Sequence, residues 1–302
     1  MKHEAWRRDP AAYRWRGTIE PRWTDVDTLR HLNNSALQGL HLEARMRLIT
    51  AAVGDGFWRA RGPRLLADHL HTDFLLQAHY PQPLEAAARL TAVGEGRLTV
   101  ATALFQDGQC VGLQTARLFA AERDRPVPLP AHWRQALGAG ETLPEPEPLP
   151  PHPAPPPPDA WPQSRTLDSR YADLDATSRV AELALMRGAE VGRGGLLQGA
   201  FRALDGSEFG GGRIGTMVAR LDLHRLHLGP PPAVWRLTSG VTHIGRSSVV
   251  VRVGFFDGDR CQALADCVQV VVERAAGTPL AMPAPLRAVF ESQRLPPAPT
   301  AS

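Results

Sequence analysis

Hydrophobic and polar positions along this chain switch twice from a helical period to strict alternation. From Ser35 to Val53 no proline interrupts the chain, and Leu37, Leu40, Ala44 and Leu48 recur at helical spacing, with Ala36 and Ala51-Ala52 widening the stripe. Gly39 inside this run costs a helix about 1 kcal/mol relative to alanine, so it is expected to mark close packing against a sheet. Alternation then takes over, and strands are predicted over 66–78, 84–94, 97–106 and 109–122, with turns at Glu95-Gly96 and Asp107-Gly108. Thr18 to Trp23, ahead of the helix, is extended in character. The same order returns downstream, with strands over 214–227, 233–244, 247–256 and 260–273, the last two joined at Asp257-Gly258-Asp259. One helix followed by an antiparallel run is an α+β pattern.

The recurrence is a repeat of sequence as well as pattern. Tyr171, Asp173, Asp175 and Arg193 fall on Trp23, Asp25, Asp27 and Arg45 at a constant offset. HTDFLLQ at 71–77 aligns with RLDLHRL at 220–226, Gly96-Arg97 with Gly245-Arg246, and Glu122-Arg123 with Glu273-Arg274. Phe105 and Cys110 align with Phe256 and Cys261, and LPAHWRQAL at 129–137 with MPAPLRAVF at 282–290. Between the copies lies Pro126–Pro162, densest in LPEPEPLPPHPAPPPPDAWP, where no packed strand or helix is expected and a polyproline-type connector is. The expected organisation is a first unit at 1–140, a linker at 141–164 and a second unit at 165–302.

Composition narrows the function classes. The 302 residues are 43% hydrophobic, enough to bury the cores of two domains. A net charge of +3 does not suggest a nucleic-acid partner. The N-terminus has no apolar h-region, and no apolar run approaches membrane-spanning length, so neither a signal peptide nor a membrane partner is expected. Cys110, Cys261 and Cys267 form an odd, sparse set without metal spacing, which points to reduced thiols, a cytoplasmic location and no metal or cofactor.

The chemistry concentrates at the junction of the first strand and helix. Asp25, Asp27, His31, Asn33 and Asn34 lie within ten residues, ahead of the helix and at the positive end of its dipole. Asparagine at the head of the run is a natural N-cap. A carboxylate placed there can activate water or attack a carbonyl, and free N–H groups at the helix start can stabilise an oxyanion.

This stretch resembles the strand–loop–helix signature of the 4-hydroxybenzoyl-CoA-type thioesterases, which have the hotdog fold. The matching residues are Trp23, Asp25, Asp27, His31, Asn33, Asn34, Glu43 and Arg45, with Arg30 at the usual loop glycine and Leu37 at the common helical tyrosine. The resemblance implies two tandem hotdog units, each an antiparallel sheet wrapped around a central helix, packed as an intramolecular pseudo-dimer. It implies hydrolysis of acyl-CoA to free acid and CoA, with Asp27 as nucleophile or general base and the backbone N–H near Asn34 as oxyanion donor. His31 and Asn33 would orient the loop or contact substrate, Trp23 would contact substrate, and Asp25 would do so or brace the loop. Glu43 is the competing catalytic carboxylate, because hotdog thioesterases use either a loop aspartate or a helix glutamate. The second copy has Arg179, Ala181 and Glu182 in place of His31, Asn33 and Asn34, as a decayed site kept for its scaffold would.

Three alternatives stay open. An acyl carrier protein thioester is one substrate, although the asparagine that plant acyl-ACP thioesterases place two before the histidine is Leu29 here. A hotdog enoyl-thioester hydratase needs an Asn-Pro that Thr28-Leu29-Arg30 does not offer. The chain could also bind acyl-CoA without hydrolysing it. A homodimer of pseudo-dimers remains open as well.

Overall fold

The computed structural model describes residues 5–59, 62–122, 125–138, 143–144, 155–176, 178–205 and 212–296. The chain divides into two units, Met1–Pro148 and Leu149–Ser302. In the first, β1 (Trp15–Ile19) and a 3-10 turn (Trp23–Asp25) lead into α1 (Asn34–Val53) and the short α2 (Gly56–Arg59). Then come β2 (Arg64–Phe74), β3 (Leu84–Val93), β4 (Arg97–Gln106), β5 (Gln109–Glu122), β6 (Arg125–Val127) and α3 (Ala131–Leu137). The strands are antiparallel in the order β1-β3-β4-β5-β2, with β6 on β5. In the second unit, β7 (Gln163–Asp168) and a 3-10 turn (Tyr171–Asp173) precede α4 (Glu182–Asp205). β8 (Ile214–Arg225), β9 (Val234–Ile244), β10 (Ser248–Asp257), β11 (Arg260–Glu273), β12 (Thr278–Pro279) and α5 (Ala284–Ser292) follow. Their order is β8-β11-β10-β9-β7, with β12 on β11. Each unit is therefore an antiparallel sheet with one long helix against it, α1 on β3 and β4, α4 on β9 and β10.

The strands predicted from alternation coincide with the observed ones to within a few residues. The extended reading of Thr18–Trp23 does not hold throughout: β1 ends at Ile19, and Trp23 opens a 3-10 turn. Pro21 lies between them and has no N–H to continue a ladder. The repeat alignment also needs correction. Leu75 and Leu76 donate their N–H groups to the Val111 carbonyl, as Leu226 and His227 do to Gln262, so RLDLHRL at 220–226 corresponds to 69–75, two residues from the register that residue identity suggests. The Gly94 N–H donates to the Arg97 carbonyl as Gly245 does to Ser248, so Gly94, not Gly96, is the counterpart of Gly245. Bulges at the same places in both units fix this register. Arg123, included in the Glu122-Arg123 match, lies outside the described residues.

The proline stretch is not free of packed structure. β6 and α3 lie within Pro126–Pro162, and Trp133 and Leu137 of α3 are buried. At its other end Pro158–Ala160 forms a 3-10 turn, and Trp161 packs with Phe256, Cys261 and Leu264. Tyr13 does the same in the first unit, against Ala87, Ala101, Ala103, Phe105 and Leu113. Residues 139–142 and 145–154 of the expected connector lie outside the described residues.

Leu37, Leu40, Ala44 and Leu48 are buried as their spacing predicts, while Ala51 is exposed. Gly39 is half-buried. In the second unit a helix glycine does meet the sheet closely: a Cβ on Gly188 would come within 2.5 Å of Phe255. The periodicity did not anticipate that Gln38, His41 and Arg45 of α1 are also buried. They meet polar partners on the sheet. Gln38 Oε1 accepts from Thr72 Oγ1 (3.0 Å) and Gln114 Nε2 (2.6 Å), Arg45 donates to Gln114 Oε1 (2.9 Å), and His41 Nδ1 lies 2.8 Å from Thr102 Oγ1. The second unit has Met186, Ala189, Leu223, Val253 and Ala265 at the places of Gln38, His41, Thr72, Thr102 and Gln114, all buried. No helix among the described residues is long and apolar enough to cross a membrane.

Candidate functional site

The site is the loop that carries the chain from β1 into α1. Val26 and Leu32 form an isolated antiparallel bridge, and the five residues between them make a tight turn. Asp27 N–H donates to the His31 carbonyl (3.0 Å), Arg30 N–H to Asp27 (3.0 Å) and Asn33 N–H to Asp25 (2.8 Å). The turn closes through a left-handed residue, Arg30, with φ 65°. Glycine adopts that conformation at little cost, and arginine holds it here because the surrounding hydrogen bonds dictate it.

The two aspartates have different surroundings. Asp25 is buried, and its carboxylate accepts from Arg22 three times: the backbone N–H (2.8 Å), Nε (3.2 Å) and a terminal guanidinium nitrogen (2.8 Å). It braces the loop and has little capacity left for a substrate. Asp27 is more open, its side chain 20% accessible. One carboxylate oxygen accepts the Leu29 N–H (2.8 Å), and the other lies 3.3 Å from His31 Nδ1. The opposite ring nitrogen of His31, Nε2, is buried and has no hydrogen-bond partner.

The start of α1 completes the group. Asn33 is the N-cap, its Oδ1 accepting from the N–H and hydroxyl of Ser35 (2.7 and 2.6 Å). Asn34 is therefore the first helical residue, and its N–H has no acceptor among the described residues. So Asp25, Asp27, His31, Asn33 and Asn34 are brought together. Trp23 stands at the edge of the loop, 72% exposed, in edge-on contact with Tyr80 at 5.6 Å. Glu43 is not part of the group: it is exposed on α1 and bonded by Arg47 Nε at 2.7 Å.

Residue patterns alone missed the groups that hold this loop. Arg22, three residues before Asp25, carries a capping-box signal that could have been read. Ala78 carried no signal, yet its carbonyl accepts the Leu32 N–H at 2.7 Å.

The loop of the second unit repeats the backbone frame with Arg179, Ala181 and Glu182 in place of His31, Asn33 and Asn34. Asp175 N–H donates to Arg179 (2.8 Å), Ser178 to Asp175 (3.0 Å) and Ala181 to Asp173 (2.8 Å), and Ser178 has φ 60°. Arg170 bonds Asp173 as Arg22 bonds Asp25 and holds its carboxyl below the usual range. Ala181 cannot cap the helix, and Glu182 puts a carboxylate at its first residue. Arg225 reaches the Val180 carbonyl (3.1 Å), and burial lowers its guanidinium pKa against the opposing charges of Glu182 and Asp175.

Residues 21–137, which contain the first loop and most of its unit, match the family described as the thioesterase-like superfamily. No curated protein matches the chain. Three solved structures are similar over most of it. One is a protein of Lactobacillus plantarum titled as an oleoyl thioesterase, with 11% identity and a TM-score of 0.68, covering 85% of this chain and 96% of its own. The 12:0-ACP thioesterase of Umbellularia californica has 14% identity and a TM-score of 0.68, covering 85% and 94%. An acyl-ACP thioesterase of Bacteroides thetaiotaomicron has 12% identity and a TM-score of 0.61, covering 84% and 97%. The fold is the antiparallel, helix-containing hotdog-like fold of thioesterases.

Proposed function

We propose that this protein is a thioester hydrolase that cleaves acyl-CoA to free acid and CoA at the first-unit loop. The observation that carries this reading is Asp27: a partly open carboxylate, held at one oxygen by the Leu29 N–H and close to His31 at the other, just ahead of a helix start. Asp27 either attacks the thioester carbon, forming an anhydride that water then hydrolyses to the free acid, or takes the proton of a water that attacks directly; in both routes the C–S bond breaks and CoA leaves as the thiolate. The Asn34 N–H, at the positive end of α1, is the donor proposed for the oxyanion. His31 orients Asp27, and Asn33 keeps the helix start in place through its cap.

A second reading, an acyl carrier protein thioester as substrate, is supported by the two acyl-ACP thioesterases among the similar structures. The repeat supports a further proposal, that the two units pair within one chain, and scattering that fits two separated beads would refute it. The three unpaired cysteines fit a reducing compartment such as the cytoplasm. The function is tested with a panel of acyl-CoA and acyl carrier protein thioesters and a thiol reagent. Thiol release from either class identifies the substrate. Tight binding without release would make the protein a non-catalytic acyl-CoA module.

A further inference from the structure

Beside the candidate site runs the segment between β2 and β3, residues 75–83. Most of it is exposed, including Leu76, Gln77, His79, Tyr80, Pro81 and Gln82. It nevertheless touches the site twice. The Ala78 carbonyl accepts the Leu32 N–H, which ends the site loop, and Tyr80 packs against Trp23, which begins it. An exposed segment of this kind exchanges its hydrogen bonds with water at little cost, so something must hold it.

That holder is one buried side chain, Gln106, at the end of β4. Its Oε1 accepts the His79 N–H (2.8 Å), and its Nε2 donates to the carbonyls of His79 (2.8 Å) and Gln82 (2.9 Å). One amide thus bonds three backbone groups around Tyr80. The second unit lacks both halves of the arrangement. Asp257 stands at the place of Gln106, and Pro230, with no N–H, at that of His79. There, no hydrogen bond links Val180 to Gly229 among the described residues, and a pocket opens between them, lined also by Leu185, Arg225 and His227.

We propose that Gln106 is a positioning residue for the site: through the 79–82 backbone it fixes Ala78 against Leu32 and Tyr80 against Trp23, and so sets where Asp27 stands relative to α1. This rests on the hydrolase reading for its catalytic consequence, but not for its structural one. The test uses the full chain labelled with 5-fluorotryptophan, with the Trp23 line identified by its loss in Trp23→Phe. Gln106→Leu removes all three hydrogen bonds at similar volume. It is expected to shift and broaden the Trp23 line, and to lower kcat about ten- to a hundredfold, the scale for a slightly misplaced catalytic group, while the melting temperature stays within a few degrees. A Trp23 line and a kcat both unchanged from the parent would overturn the proposal. If Gln106→Leu does not fold, Gln106→Glu decides, since it keeps the acceptor for His79 and loses both donors. A shifted Trp23 line with a smaller loss of kcat supports the clamp, and an unshifted line overturns it. If the parent releases no thiol from any thioester, the hydrolase reading fails, and the Trp23 line still decides the clamp.

Discussion

Asp27 and Glu43 are the two carboxylates that residue pattern offered for catalysis, and their surroundings separate them. Glu43 lies nine residues beyond Asn34, about 13 Å along the helix axis, and faces outward to Arg47. An exposed pair of this kind contributes little. Asp27→Asn is expected to lower kcat at least about a hundredfold, with binding of a non-hydrolysable acyl-CoA analogue retained. Glu43→Gln should stay within a few-fold of the parent. Steady-state kinetics of both variants check the order, and the reverse order would make Glu43 the catalytic group. His41 supplies a second prediction. Burial, reinforced by the charge of Arg45, lowers its pKa from 6.5 to about 3, so the folded protein keeps it neutral. The unfolded chain binds a proton that the folded one refuses, so this residue's contribution is fully present above pH 6.5 and is lost as the pH falls towards 3. Melting temperature should decline through that window, with a shallower decline in His41→Gln.

Among the elements, α1 is held differently from α4. It presents Gln38, His41 and Arg45 to Thr72, Thr102 and Gln114, where the second unit has the apolar Leu223, Val253 and Ala265. Removing one partner from a buried polar network leaves the others unpaired, which costs more than the bond itself contributes. Gln114→Leu is expected to destabilise the protein by about 2–3 kcal/mol, measured by denaturant unfolding. Part of the proline-rich stretch is packed. Trp161 fills the outer cluster of the second unit, so Trp161→Ala should cost about 3 kcal/mol or more. Shortening the chain within 145–154 should change the melting temperature little, because loop-closure cost grows only logarithmically with length. A large drop from that deletion would refute the connector reading.

At the scale of the whole molecule, the loops of the two units share one backbone frame, and the residues proposed for hydrolysis stand in the first. A carboxylate at Glu182, where the first copy has Asn34, opposes an oxyanion at the helix start. Asp175→Asn is therefore expected to leave turnover within a few-fold of the parent. A loss as deep as that from Asp27→Asn, seen in the same thiol-release assay, would show that both loops work.

Local pattern determined a good deal. Strand positions, the helix start, the repeat and the cluster from Asp25 to Asn34 were all legible, because alternation, capping chemistry and turn residues act over a few neighbours. It could not supply what depends on groups distant in sequence. Gln114 lies 76 residues from Gln38, and Gln106 lies 27 from His79, so nothing local marks either pair. At 220–226 residue identity points two residues away from the true register, because bulges and backbone hydrogen bonds set the pairing, and chance identities do not. AHWRQAL lies in a proline-rich stretch where local pattern offers no helix, while burial of Trp133 and Leu137 decides that it is one. Two aspartates of the same type became a brace and a partly open carboxylate only in the fold, which buries Asp25 and leaves Asp27 partly accessible next to His31.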